Sequence, residues 1–321
     1  MRYSPEEKME IIRMVDGSEL GVKRTLQELG IARSTFYGWY EKYLNEEPLE
    51  KQTRASYWNR IPDEYKAKVI ETALELTHLS PREIATHMTD HSGHFISESS
   101  VYRILKRAGL ITSPAHILLA AEKEFSNKTT RVHQMWQTDF TYMKIQGWGW
   151  YYLSTVLDDF SRFIVHWELC NSMGTNDVER TINQALRKAG LIRKQRPTLL
   201  SDNGPCYVSD DLKKFLGEQE IKHVRGRPFH PQTQGKIERY HRTMKNVVKL
   251  EHYYLPQELE YRMAEFVEYY NTKRYHESLQ NCTPEDVYLG RQYQILERRK
   301  RIKRKSMQKR RRNHRLEMIK I

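Results

Sequence analysis

The apolar residues of this chain change their period at residue 136. Up to about residue 110 they recur every three or four positions, as on one face of a helix. From Trp136 they gather in short runs rich in aromatic and β-branched residues, as in strands. At 321 residues the chain has room for one sizeable domain and one or two small ones, so helical units followed by a larger sheet-containing domain are expected.

The helical part opens with Ser4-Pro5-Glu6-Glu7, which offers an N-cap serine, a proline at the first helical position and a glutamate three residues after the cap. Met9, Ile11, Ile12 and Val15 then supply an apolar face. A second set, Val22, Leu26 and Leu29, stops at Gly30, and a third helix follows through Arg33, Phe36, Trp39 and Tyr40. Two short helices joined by a tight glycine-containing turn make a helix-turn-helix layout, expected over residues 1–45. Small polar and basic side chains at the start of its second helix, Arg33, Ser34, Thr35 and Tyr37, are the candidates for contact with DNA bases.

The pattern recurs over residues 61–112. A helix from about Asp63 to Thr77 precedes the cap sequence Ser80-Pro81-Arg82-Glu83, and Ile84 and Met88 give the next helix its apolar face. Ser97 opens a third helix that stops at Gly109. Ser99, Ser100, Tyr102 and Arg103 are the DNA candidates of this unit. His87, His91 and His94 lie across a helix break with no cysteine or carboxylate set to complete a tetrahedral site, and are read as surface or turn histidines. Residues 45–54 and 113–130 read as linkers.

Charge places the chain among nucleic-acid binders, and its distribution matters more than the net +13. Residues 291–321 hold 14 Lys or Arg against Glu297 and Glu317, leaving 40 basic and 39 acidic residues elsewhere. This tail is expected to be disordered, or ordered only against phosphates, adding affinity without sequence preference. The three cysteines are far apart and form no CxxC pair, and no run of 18 apolar residues occurs. A soluble protein of a reducing cytosol is expected.

Between residues 131 and 290, strands over 136–145, 150–157 and 163–169 read as an antiparallel meander. Alternating helices and strands follow: a helix over 175–188, a strand over 198–201, a helix over 210–218, a strand over 222–225 and a helix from Gly235. Three acids stand out. Asp139 interrupts a half-buried strand, where a carboxylate is disfavoured unless something pairs with it. Asp202 begins Asp202-Asn203-Gly204 at the end of a strand, where a lone aspartate is most often a turn former. Glu238 shares a helix face with Arg242, Lys245 and Lys249, about 140° from an apolar face of Ile237, Tyr240, Met244, Val247 and Val248.

Asp202 and Glu238 are separated by 35 residues, with Asp139 on a strand upstream. This spacing resembles that of the DDE integrase and transposase family. So do the surrounding words: Trp136-Gln-Thr-Asp139, Leu157-Asp-Asp-Phe-Ser-Arg162, Ser201-Asp-Asn-Gly204, His230-Pro-Gln-Thr-Gln-Gly-Lys-Ile-Glu238-Arg, and Tyr270-Asn271 through Arg274, His276, Leu279 and Thr283-Pro284. The resemblance is to the bacterial insertion-sequence branch with a retroviral-integrase-like core. It implies a ribonuclease-H-like fold, a mixed five-stranded sheet with helices on both faces. It also implies that Asp139, Asp202 and Glu238 ligate two Mg²⁺, which Mn²⁺ could replace, to cut and join DNA strands.

Asp158 and Asp159 then fall to a turn-shaping word rather than to the metals. His230, Gln234, Lys236, Arg239, Arg242 and Lys245 become candidates for contact with the DNA near the cut. The partners implied are double-stranded DNA at the element's ends and target, and further copies of the chain in a dimer or larger assembly, at the nucleoid of a bacterial cytoplasm. Retroviral integrases carry a His-His-Cys-Cys zinc module before this core. Here no cysteine precedes Cys170, and helix-turn-helix units stand in its place.

Overall fold

The computed structural model describes residues 3, 5–18, 20–45, 57–111, 129–226, 234–248 and 252–319. They fall into two compact units, residues 1–61 with 307–321 and residues 62–306. Among them no helix is long and apolar enough to cross a membrane.

In the first unit, helices α1 (Pro5–Asp16), α2 (Val22–Glu28) and α3 (Arg33–Leu44) close around Ile11, Ile12, Val15, Leu26, Ile31 and Phe36. The α2–α3 turn needs a left-handed residue, and Gly30 supplies it at φ +66°, letting the Ile31 amide donate to the Leu26 carbonyl at 2.9 Å. Phe36 faces the core, while Arg33, Ser34, Thr35 and Tyr37 stand exposed at the start of α3. Ser4, the expected cap, lies outside the described residues.

In the second unit, α4 (Asp63–Glu75), α5 (Pro81–His91) and α6 (Glu98–Arg107) pack on Val69, Ile84, Met88, Ile96, Val101 and Leu105. Ser80 and Glu83 form the expected capping box, with the Ser80 amide donating to Glu83 at 2.9 Å. On α6, Ser99 and Arg103 are exposed and Ser100 and Tyr102 half-buried. His94 departs from the surface reading: its ring is buried and stacked on Tyr65 at 3.6 Å between centroids.

The sheet belongs to this same unit. Its strands are β1 (Met135–Ile145), β2 (Gly149–Asp158), β3 (Ile164–Cys170), β4 (Thr198–Ser201) and β5 (His223–Arg225), in the order β3-β2-β1-β4-β5. The first three pair antiparallel; β4 joins β1 in parallel, and β5 joins β4 in parallel. Because strand side chains alternate in direction, Leu153, Leu157, Met143 and Ile145 lie on one face and Val156, Trp136 and Val165 on the other. The first face is covered by α10 (Gly235–Val248) and α11 (Pro256–Thr272), the second by α7 (Thr175–Ala189) and α9 (Asp210–Glu218). This mixed five-stranded sheet, clad on both faces, is the ribonuclease-H-like arrangement implied by the sequence.

The basic tail is not the disordered segment expected. Residues Gln292–Ile319 form one helix, α13, rich in Arg, Lys, Gln and Met, all good helix formers. Counting net charge missed that single residues along it are committed to partners. In the second unit, Arg299 grips Asp90 with two hydrogen bonds of 2.8 and 2.6 Å and also donates to the carbonyls of Gln280 and Asn281, while Ser306 accepts from the Phe95 amide at 2.9 Å. In the first unit, Arg310 is buried and donates to Asn59 at 2.9 Å.

Candidate active site

Parity along β1 decides which way Asp139 points. Met143 and Ile145 face α10 and α11, so Gln137 and Asp139, six and four residues before Met143, face them too. The β1–β4 register pairs Gln137 with Leu200, and two further steps along it bring Asp139 level with Asp202. Glu238 sits in the first turn of α10, above Asp139. One central strand thus sets the aspartates side by side and directs the first toward the helix that carries Glu238.

The Asp202 carboxylate is held by a tight turn. Its Oδ1 accepts from the Gly204 amide at 2.9 Å, and Asn203 Nδ2 ties the turn to the Gly226 carbonyl at 2.8 Å, just past β5. A Cβ at Gly204 would stand 3.1 Å from that same Oδ1, so a side chain here would press directly on the carboxylate. Asp139 Oδ1 accepts from the Phe140 amide at 2.8 Å, and its Oδ2 lies 3.4 Å from His241 Nδ1.

Asp139, Glu238, His241, Arg242 and Lys245 line one open cleft of about 400 Å³. The charge of Asp139 acts on the other two acids. Burial first, and then the charge of Asp139, raise the Asp202 carboxyl above its ordinary value, against the Gly204 hydrogen bond that lowers it. Burial and Asp139 likewise raise Glu238, with Arg242 and His241 opposing them. Among the described residues no three His, Cys, Asp or Glu side chains converge as a finished metal-binding group. Asp139 faces Glu238 across the cleft, and Asp202 joins them through its field. Three carboxylates with oxygen-only donors, two of them raised by burial and by the charge of the third, suit a hard divalent cation, whose charge reverses the sign of the repulsion.

Asp158 and Asp159, at the end of β2, are built differently. Asp158 is fully buried and accepts from the His133 amide and from the amide and hydroxyl of Ser161. Asp159 accepts from Gln137 Nε2 at 2.7 Å, Thr129 Oγ1 at 2.6 Å and Lys236 Nζ at 2.6 Å. Gln137 Oε1 in turn accepts from the Ile237 amide at 3.1 Å, so β1, this turn and the start of α10 are bound together. These are turn-shaping acids, as the sequence suggested.

The expected DNA contacts separate into groups. Arg239 and Arg242 are exposed on α10 and Lys245 is half-buried, its ammonium 4.7 Å from the centre of the Tyr142 ring. Lys236, read as a DNA contact, turns inward onto Asp159, because a buried carboxylate offers the ammonium a closer anion than any phosphate. Gln234, read the same way, is 7% exposed. His230 lies outside the described residues. Val247, assigned to the apolar stripe of α10, is exposed, and His241 takes its place in the buried face. The missed signal for His241 was spacing: it follows Glu238 by three residues, one helical turn along the same side.

Family models match in two places. Residues 129–231 and 219–284 each match an integrase core domain, and residues 35–105 match a homeodomain-like domain. The putative transposase InsK of insertion sequence element IS150 from Escherichia coli K12 is 31% identical over 162 residues, 49% of this chain and 55% of that protein. The Gag-Pro-Pol polyprotein of squirrel monkey retrovirus is 34% identical over 114 residues, 36% of this chain and 6% of the polyprotein. The chain thus spans about half the length of the bacterial relative and a small part of the viral one. Among solved structures, the HTLV-2 integrase catalytic core domain in complex with magnesium, in its dimeric form, is 21% identical with a TM-score of 0.40, covering 49% of this chain and 97% of that one.

Proposed function

With an integrase core domain of the DDE polynucleotidyl transferase family over residues 129–284 and a homeodomain-like helical region before it, we propose that this chain is an insertion-sequence transposase. It binds the terminal repeats of its element, cuts a strand at each end and joins the freed 3′-hydroxyl to target DNA. The observation that carries this reading is the cleft in which Asp139 faces Glu238 while Asp202 and Glu238 are both pushed up by burial and by the charge of Asp139.

Asp139, Asp202 and Glu238 would hold two Mg²⁺, or Mn²⁺. Bound there, the cations would activate the attacking oxygen and offset charge on the phosphorus and the leaving oxygen. The residues of the chain do the positioning. His241 steadies the Asp139 carboxylate from the buried side of α10, its Nδ1 3.4 Å from Oδ2. Arg242, with Arg239 and Lys245 beside it, gives the DNA backbone cationic contacts along the helix that carries Glu238.

Recognition of the ends falls to the exposed start of α3, through Arg33, Ser34, Thr35 and Tyr37, and to Ser99, Ser100, Tyr102 and Arg103 on α6. Two ends must be held at once, so the working form is a dimer or larger assembly on double-stranded DNA, in the bacterial cytoplasm.

The test uses the purified full-length chain with Mg²⁺ and the DNA that flanks its own gene, mapping nicks and joined products. Metal-dependent cuts at the element's ends followed by strand joining are expected. Cutting without joining would make the chain a nuclease. Equal cleavage by the Asp139→Asn variant would remove Asp139 from the chemistry.

A further inference from the structure

The β1–β2 hairpin ends in three large aromatic side chains turned to solvent: Tyr142 at 52%, Trp148 at 57% and Trp150 at 52% exposure. The hairpin itself is firmly anchored. Met143 and Ile145 are buried beneath it, and the Gln146 amide donates to the Tyr253 carbonyl at 3.2 Å, next to the turn. Scattered exposed aromatic residues are ordinary, but three on one well-held hairpin form a patch.

The patch is ordered and cationic. Tyr142 and Trp150 meet edge to face at 5.4 Å. Lys245 Nζ sits 4.7 Å from the Tyr142 ring centre and Lys144 Nζ 5.9 Å from that of Trp150. From Phe140 through Leu157 the sequence contains no Asp or Glu. The patch also continues into the cleft, which Tyr142 and Lys245 line together with Asp139 and Glu238.

We infer that Tyr142 and Trp150, flanked by Lys144 and Lys245, form a stacking platform for unpaired bases of the DNA strand that leads out of the active-site cleft. This rests on the reading of that cleft as a DNA-cutting site. Aromatic faces accept any base, and the ammonium groups beside them meet the phosphates between bases; that pairing of features is how proteins hold single strands without reading sequence. A hairpin with no acid between Phe140 and Leu157 and two lysines beside its rings is matched to a polyanion, and its continuity with the acids puts the bound strand next to the bond to be cut. The platform therefore favours DNA whose pairing is opened at the cut over an intact duplex.

The experiment measures binding of the full chain to two DNA probes that share one duplex, one blunt and one with a four-nucleotide single-stranded flank. Trp150→Ala and Tyr142→Ala should each weaken binding of the flanked probe about tenfold, the order expected for one base–aromatic stack, while binding of the blunt probe changes less than twofold. Trp150→Phe should keep most of the affinity, and its melting temperature should match that of the unchanged chain. The flanked probe should quench tryptophan fluorescence, and less so in Trp150→Ala. Equal losses on both probes, or none, would overturn the platform. So would an alanine variant that instead shifts the sedimentation coefficient of the free protein, which would make the patch a contact between copies. The readout needs no chemistry: failure of the Asp139→Asn test alone removes the catalytic reading, and failure here alone removes the platform.

Discussion

Two groups of acids lie on or against one sheet, and they differ in what surrounds them. Asp158 and Asp159 are buried, and every side-chain oxygen accepts a hydrogen bond from a fixed donor. Asp139 and Asp202 each accept one backbone amide at a single oxygen, and Glu238 stands exposed. Saturated carboxylates hold a fold; half-coordinated ones, with Asp202 and Glu238 raised by burial and by the charge of Asp139, are available for chemistry. Position in the fold does not separate the aspartates, since both groups have them at strand ends. The supply of donors does.

The largest effect expected from this contrast is on activity. Asp139→Asn, Asp202→Asn and Glu238→Gln should each lower metal-dependent cleavage on the order of 10³-fold, with stability unchanged or slightly raised by relief of repulsion. Gel-resolved product yields and chemical unfolding of the same preparations check both halves.

The reverse should hold at the other site. Asp159→Ala removes the carboxylate that meets the Lys236 ammonium, 17% exposed, and should cost about 3 kcal/mol of stability, since breaking a buried ion pair leaves the remaining charge poorly compensated. An unfolding midpoint equal to that of the unchanged chain would mean that Asp159 is dispensable to the fold.

Divalent cations should discriminate next. Mg²⁺ at a hundred times its dissociation constant should stabilise the chain by about 2.7 kcal/mol, and Asp139→Asn should abolish the gain while Asp159→Asn keeps it. Scanning calorimetry with and without a chelator would measure this.

The smallest effect is on titration. Burial acts to raise Asp159, but the charge of Lys236 and the hydrogen bonds from Lys236 and Thr129 outweigh it and hold this carboxyl below its ordinary value of 3.8. Its stabilising contribution is thus complete above that value and is lost as pH falls through the lowered one. Asp202 and Glu238 are raised, so they oppose folding when ionised, and that penalty disappears as pH falls through their raised values toward 3.8 and 4.5. Asp139→Asn should lower both, because it removes a neighbouring charge, and leave Asp159 in place. Carboxyl carbon NMR titrations would show any failure of this pattern.

Much of the sheet could be read in advance because alternation is local: the meander was legible in the runs around Trp136, Trp150 and Ile164. So was the helix of Glu238, from its apolar stripe. What stayed hidden depended on partners far away in sequence. Lys236 looked like any basic residue near a DNA site until Asp159, 77 residues earlier, was seen to take its ammonium. His241 looked polar, yet the helix turns it toward Asp139. The tail misled most. Its charge pattern described a solvated arm, whereas Arg299 is bound to Asp90, 209 residues away. A truncation from residue 296 would therefore remove structural contacts as well as charge.

Gln137 gives the cleft a property that none of the three acids has, that of a keyed connector. Its amide nitrogen meets a carboxylate and its amide oxygen meets a backbone N–H, so an end-for-end flip would set acceptor against acceptor and donor against donor. The strand that bears Asp139 and the helix that bears Glu238 therefore mate in a single orientation. The same amide that closes this joint sits two residues from one acid and binds one residue from another. Any looseness in it passes into the spacing of Asp139 and Glu238: part of the cleft's alignment tolerance is inherited from one neutral side chain.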